Sequence, residues 1–148
     1  MSAKVEIIVA GTEGELERCL KLRNTVFTVE RGVPREIEVD EFDCLGSVCD
    51  HVLIEGEGRD VGALRCMHMD DGIIKLQRFC VLKDCRGRRY GRIALGLLEG
   101  YYRRKNVTKL VLDSKFEASG FYEKCGYMKV SKLFEEAGVP HIKMEKSL

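Results

Sequence analysis

The sequence predicts an α/β domain built on a mixed sheet, and three observations carry that prediction. Strand-like apolar runs dominate the first half after one leading helix. The second half alternates strand, helix, strand, helix, strand. The 148 residues suffice for one buried core and no second domain, so residues 1–148 read as a single unit.

Val5-Glu6-Ile7-Ile8-Val9 is β-branched enough for a first strand. Thr12 and Glu15 have the spacing of a capping box, which starts a helix running to about Phe27. Its inward stripe is Leu16, Cys19, Leu20 and Phe27, and Arg23 falls on the same stripe. An inward charge needs a partner, so Arg23 is read as snorkelling to a nearby carboxylate, with an acceptor-site clamp as the sharper alternative. Residues 28–46 hold Glu30, Glu36, Glu38, Asp40, Glu41 and Asp43 around Gly32-Val33-Pro34. Proline excludes one long helix there, so a loop or short helix with a solvated acidic face is expected.

Val48–Glu55 and Val61–Met67 read as strands of a hairpin turning through Gly56-Glu57-Gly58-Arg59-Asp60, and Asp70-Asp71-Gly72 turns the chain again. In the next strand Ile74 and Leu76 alternate, Gln77 and Arg78 intervene, and Phe79 and Val81 resume on the opposite parity. A one-residue phase shift is the mark of a β-bulge. From Tyr90 a helix is expected to bury Ile93, Ala94, Leu97, Leu98 and Tyr101 and to expose Arg92, Glu99, Arg103 and Arg104. Lys109–Asp113 is a further strand. Ser114 and Glu117 repeat the capping-box spacing before a short helix that ends at Gly126, a C′ residue. Tyr127–Val130 and Val139–Met144 close the sheet around an irregular piece containing Gly138 and Pro140.

The stretch Leu76–Arg92 organises the rest. A strand runs into a basic turn and a helix start, and such a start presents unpaired backbone N–H groups and the positive end of the helix dipole. Phosphate suits that place. Five Lys or Arg residues and one Asp lie between Lys83 and Arg92, in a chain whose net charge is only +1. The turn is neither a P-loop nor a dinucleotide-fold fingerprint.

Arg86-Gly87-Arg88-Arg89-Tyr90-Gly91 resembles the acetyl-CoA signature of the GNAT superfamily of N-acetyltransferases, Arg/Gln-x-x-Gly-x-Gly/Ala, with Arg89 where the family usually has glycine. Downstream, Ala118-Ser119-Gly120-Phe121-Tyr122-Glu123-Lys124-Cys125-Gly126-Tyr127 resembles that family's Ala-x-x-x-Phe-Tyr-x-x-x-Gly-Phe/Tyr segment. The chain is similar to the small single-domain members in its 26–34 and 138–144 segments. The resemblance implies a central mixed, mostly antiparallel sheet of six to seven strands flanked by helices, with acetyl-CoA as acetyl donor.

The resemblance also implies roles. The coenzyme would be held by Phe79, Cys80, Val81, Arg86, Gly87, Arg88, Arg89, Tyr90, Gly91, Arg92, Ser119 and Tyr122. The Phe79 N–H would bond the thioester carbonyl as charge develops on its oxygen. Tyr122 would protonate the departing thiolate. In part of the superfamily a glutamate on the fourth strand near the position of Lys75 is the base, and here that position is lysine, so the role is not carried over directly. Glu30 and His141 are the candidates here, and a hydrogen-bonded structural role is the bland reading of His141.

Arg23, Arg31, Arg78 and Lys115 are the expected substrate contacts. Part of the chain, including Asp84-Cys85-Arg86-Gly87 and the run from Leu112 to Tyr127, also resembles glucosamine 6-phosphate N-acetyltransferase. A sugar phosphate needs a cationic pocket, which these residues with Arg65 and Lys75 could form. The first expectation is therefore a small-molecule primary amine, with glucosamine 6-phosphate as the named acceptor. The alternatives are a protein or peptide amine received in an acidic groove of residues 30–43, and a non-catalytic acyl-CoA-binding protein.

With charged residues at 33% and balanced, there is no broad basic face for nucleic acid. No apolar run approaches a membrane span, and Met1-Ser2-Ala3-Lys4 lacks the apolar core of a secretion signal, so a cytoplasmic location is expected. Seven cysteines without a Cys-x-x-Cys, and three histidines, argue against zinc and for buried reduced thiols. Many members of the family are dimers, which makes a homodimer the expectation for assembly.

Overall fold

The computed structural model describes residues 4–148; Met1-Ser2-Ala3, which bear on the secretion-signal reading, lie outside them. The strands are β1 (Val5–Val9), β2 (Cys49–Gly56), β3 (Arg59–His68), β4 (Ile73–Val81), β5 (Lys109–Lys115), β6 (Met128–Lys129), β7 (Phe134–Glu136) and β8 (Val139–Ser147). They form one sheet in the order β1-β2-β3-β4-β5-β8-β6, with β7 also paired to β8. All pairs are antiparallel except β4 with β5. The strand beyond the expected six to seven, β7, comes from the stretch expected to be irregular. Ala137 and Gly138, at φ 51° and 76°, turn it back onto β8 as a hairpin.

Helices cover both faces, because alternate residues of β2 point to opposite sides. Val52 and Ile54 pack under α3 (Tyr90–Arg103), while Leu53 packs with Cys19, Leu22 and Val26 beneath α1 (Glu13–Arg23); α2 (Arg35–Glu38) is a single turn between α1 and β2 in the chain. The α1 N-terminus is capped as expected by Thr12, whose Oγ1 accepts from the Glu15 N–H at 3.2 Å. The reciprocal arm differs: the Glu15 carboxylate accepts from the Gly11 N–H at 2.8 Å, one residue before the cap.

Three expectations are corrected by packing. The leading helix does not end near Phe27 but continues as a π-helix over Asn24–Glu30; Leu22 of the regular helix is buried where Leu20 was expected, and the wider winding brings Val26 inward where Phe27 was expected. Helix α3 is rotated about one residue from its predicted stripe, burying Tyr90, Ala94, Leu95, Leu98 and Tyr102 and leaving Leu97 exposed. Tyr90 sets that rotation. Its ring fills the space beside Gly56, where an added Cβ would lie 2.8 Å from Cε1. Glu99, expected in solvent, is buried and paired with Lys146.

Finally, Ser114 does not cap a helix. It is the sixth residue of β5, opposite Ile142, and its hydroxyl donates to the Lys115 carbonyl at 2.8 Å. The strand is longer than its sequence pattern because β8 offers it a continuous edge.

The sheet tolerates little at Gly62, where a Cβ would lie 2.4 Å from the Cys80 carbonyl oxygen across the β3–β4 pair. Gly62→Ala is expected to destabilise the fold by about 1–3 kcal/mol, read as a lowered urea midpoint with an unchanged slope.

Candidate active site

The site begins at an interruption in the sheet. Ala63 faces Cys80 and Arg65 faces Gln77, so Leu64 alone stands opposite Arg78 and Phe79. This is the two-against-one count of a bulge, at the residues where the phase shift foretold it. Arg78 adopts φ 52° there. On its other side β4 pairs with β5 only through Ile73–Lys75 and Lys109–Val111. Beyond that point β5 follows β8, β4 bends with its bulge, and the two strands part.

Two cavities open from the parting. One, about 400 Å³, lies between the β4–β5 opening and the 27–38 segment; Leu112, Lys115 and His141 line its β5–β8 side. The other, about 460 Å³, follows β4 past Cys80 and Val81 to the turn before α3. Arg31, Phe79, Ala118 and Tyr122 line both, so the cavities meet at Phe79 and Tyr122.

The second cavity ends at a fan of backbone donors. Among the described residues none of the N–H groups of residues 87–92 has a hydrogen-bond acceptor, and the first helical bond is Ile93 N–H to the Arg89 carbonyl at 3.0 Å. Gly87 at φ 79° and Arg89 at φ 67° turn the chain to aim them. Arg89 holds this left-handed geometry with a side chain attached, at a cost of about 1 kcal/mol. Gly91 permits the close approach of α3 to β4: a Cβ would meet the Phe79 ring at 3.0 Å.

Several residues expected at the coenzyme site do something else. Arg86 lines the cavity, but its guanidinium is spent: Nε donates to the Val81 carbonyl at 3.0 Å and both terminal nitrogens to Glu30 at 2.7 Å. Tyr90 contributes its backbone while its ring is buried. Arg88 is exposed and does not line the cavity, and buried Ser119 donates to the Phe116 carbonyl at 2.7 Å rather than facing it. Cys85, Phe121, Lys124 and Cys125 line it without having been expected; the Phe-Tyr pair was the available signal for Phe121.

Tyr122 is held by the end of α4 (Ser119–Lys124). Gly126 at φ 94° lets Tyr127 N–H reach the Tyr122 carbonyl at 3.0 Å and its own N–H reach Glu123 at 3.0 Å, a Schellman stop. Burial pushes the Tyr122 phenol up to about 12. It remains a proton-bearing donor at any physiological pH.

Of the two candidate bases, Glu30 is corrected. Its carboxyl is held below the usual range by hydrogen bonds from Arg86, and it lines neither cavity. His141 lines the first cavity opposite Lys115. Its Nδ1 lies 2.8 Å from the Val139 carbonyl, which can only accept, so Nδ1 donates there, and Nε2 lies 3.4 Å from a Glu136 carboxylate oxygen.

The expected cationic pocket is mostly neutralised. Arg23, 1% exposed, is not a substrate contact: it binds Glu38 at 2.9 Å and Asp43 at 2.7 Å. Arg65 is buried on Asp40 and Asp43, Lys75 pairs with Asp113 at 3.1 Å, and Arg78, though on the cavity wall, pairs with Glu38. Arg31 and Lys115 alone of the six lack a carboxylate partner among the described residues. The same pairings correct the expected solvated acidic face, since Glu38 and the Asp43 side chain are buried. No helix among the described residues is long and apolar enough to cross a membrane.

A family model described as an acetyltransferase (GNAT) domain matches residues 47–148. YyaT of Bacillus subtilis, an uncharacterised protein, is 38% identical over 93% of this chain and 92% of its own. The uncharacterised N-acetyltransferase YjcF of the same organism is 34% identical over 96% and 99%. Among solved structures, Escherichia coli ElaA superposes with a TM-score of 0.78 at 25% identity, covering 97% of this chain and 99% of its own. An aminoglycoside 6′-N-acetyltransferase in complex with coenzyme A shares the fold at a TM-score of 0.76 and 14% identity, over 97% and 96%.

Proposed function

The chain belongs to the GNAT acetyltransferase family, and from that premise we propose that it moves the acetyl group of acetyl-CoA onto a small primary amine that carries an anionic substituent. The observation behind this reading is the meeting of two cavities at Phe79 and Tyr122, one ending in backbone N–H groups suited to a diphosphate and the other holding two cations, Arg31 and Lys115, none of which has an acceptor or carboxylate partner among the described residues. A cytoplasmic location, where its seven free thiols stay reduced, is part of the same reading.

In this reading the amine nitrogen attacks the thioester carbonyl carbon and a C–N bond forms. The Phe79 N–H takes up the charge that develops on oxygen. As the C–S bond breaks, the thiolate accepts a hydrogen bond from Tyr122. A thiol near 8.5 is a stronger acid than a phenol at about 12, so Tyr122 stabilises the leaving sulfur by donation without surrendering its proton outright. The nitrogen's proton leaves through His141 Nε2, directly or by one water.

Glucosamine 6-phosphate would have to be read by Arg31 and Lys115 alone, since the other four cations are engaged, so the acceptor is framed by its chemistry and not by that name. A peptide acceptor loses its main argument, because Glu38, Asp40 and Asp43 are neutralised by arginines.

The test is a panel of primary amines assayed by CoA release: uncharged amines, amines bearing a carboxylate or phosphate with glucosamine 6-phosphate among them, and a lysine peptide. Anionic small amines are expected to accelerate release, and Lys115→Ala to raise their KM while sparing uncharged ones. Acceleration by the peptide alone would overturn the reading. Glu30→Gln is expected to leave kcat within about threefold, whereas His141→Gln lowers it about 100-fold near pH 7. Loss at residue 30 and not at residue 141 would reverse the assignment of the base.

A further inference from the structure

We infer that Glu38 and Arg78 form an ionic latch that fixes the β4 bulge, which makes both of them positioning residues for acetyl transfer; the inference rests on the donor-binding reading above. Arg78 sits at φ 52°, a backbone region that a residue with a Cβ avoids and glycine enters freely. Something must hold it there. Its guanidinium Nε lies 2.9 Å from the Glu38 carboxylate and 3.2 Å from the Glu38 carbonyl oxygen, so one residue of the 35–38 helix grips the side chain twice.

Glu38 is itself buried and held by Arg23. It is 3% exposed, and Arg23 binds its carboxylate through Nε at 3.0 Å and Nη2 at 2.9 Å, with a further bond to its carbonyl at 2.9 Å. Arg23 closes α1, which packs over β2 and β3. The bulge is therefore tied through Glu38 and Arg23 to α1.

The consequence falls on the next residue. Phe79 follows Arg78 directly, and the side-chain parity of β4 reverses at this pair. A bulge free to migrate by one residue would turn the Phe79 N–H away from the parted strands. Misplacement on that scale removes a preorganised donor from a developing charge.

Arg78→Gly separates positioning from stability, because glycine adopts φ 52° without strain and Glu38 keeps its Arg23 partner. Equilibrium dialysis of wild type and variant against CoA comes first; a wild type that does not bind would sink the donor-binding reading itself. Infrared difference spectra are then recorded with acetyl-CoA labelled at the carbonyl carbon. The wild type is expected to lower the carbonyl stretch on binding. Arg78→Gly should retain its melting temperature and CoA affinity yet return the stretch toward its value in water, with acetyl transfer slowed about tenfold. Glu38→Gln, which keeps the shape and removes the charge, should move the stretch the same way. A wild-type band at its solution position, or an unchanged band in both variants, would overturn the latch.

Discussion

Arg23→Ala is expected to lower folding stability by about 3 kcal/mol, the lower end of the range for breaking a buried ion pair. For a chain of this size that is a fall in melting temperature of roughly 10 °C. The guanidinium is 1% exposed and engages two carboxylates that are themselves buried, so its removal leaves charge in a medium that cannot solvate it. The loss stops short of the upper end because Arg78 still holds Glu38 and Arg65 still holds Asp43. Arg18→Ala is the control. That arginine, 40% exposed, also bridges two acids, Glu55 and Asp60, but solvent screens the pairs and its removal should leave the melting temperature nearly unchanged.

The same cluster sets an acid limb. Despite burial, which pushes the other way, hydrogen bonds from Arg23 hold the Asp43 carboxyl far below its ordinary value, and those from Arg65 lower Asp40. A carboxylate depressed in the folded state contributes its full stabilisation above the unfolded value near 3.9 and loses it as pH falls through the folded one. Wild-type stability should therefore drain below about pH 4. In Arg23→Ala the drain is shallower, since Asp43 returns toward its ordinary value and has less pH-dependent stability to lose. Thermal melts of both proteins from pH 7 to pH 3 check this, and parallel curves would show that the cluster does not govern the limb.

Under the proposed mechanism Tyr122→Phe is expected to lower kcat about 100-fold with KM for acetyl-CoA nearly unchanged, because it removes the proposed donor to the leaving sulfur while the ring still packs against Phe121 and Tyr127. With the phenol at about 12, its ionisation should leave no mark on the wild-type pH–rate profile below pH 10. Pre-steady-state acetyl transfer with an accelerating amine measures the first effect. Equal rates for the two proteins would reduce Tyr122 to a packing residue.

Much of the donor side was legible in the chain itself. The bulge was announced by a parity reversal at Gln77 and Arg78, the α3 start by Gly87 and Gly91 around a basic turn, and the stop behind Tyr122 by Gly126. The strained position at Arg89 follows from its place in the family signature. Each of these depends on backbone conformation within a few residues, which side-chain type and spacing control directly.

The acceptor side was not legible, and its residues show why. Whether Arg23 meets substrate or Glu38 depends on where a loop fifteen positions away returns. Which face α3 buries was decided by one ring fitting beside Gly56, a residue of a different element. Glu30 as base and Glu30 as partner of Arg86 are the same carboxylate read before and after a contact across 56 positions. Local propensity determined which segments are helix, strand and turn. Tertiary packing alone decided which charges cancel and which remain to bind a substrate, because Coulomb energy and burial depend on distances in space that spacing along the chain does not encode.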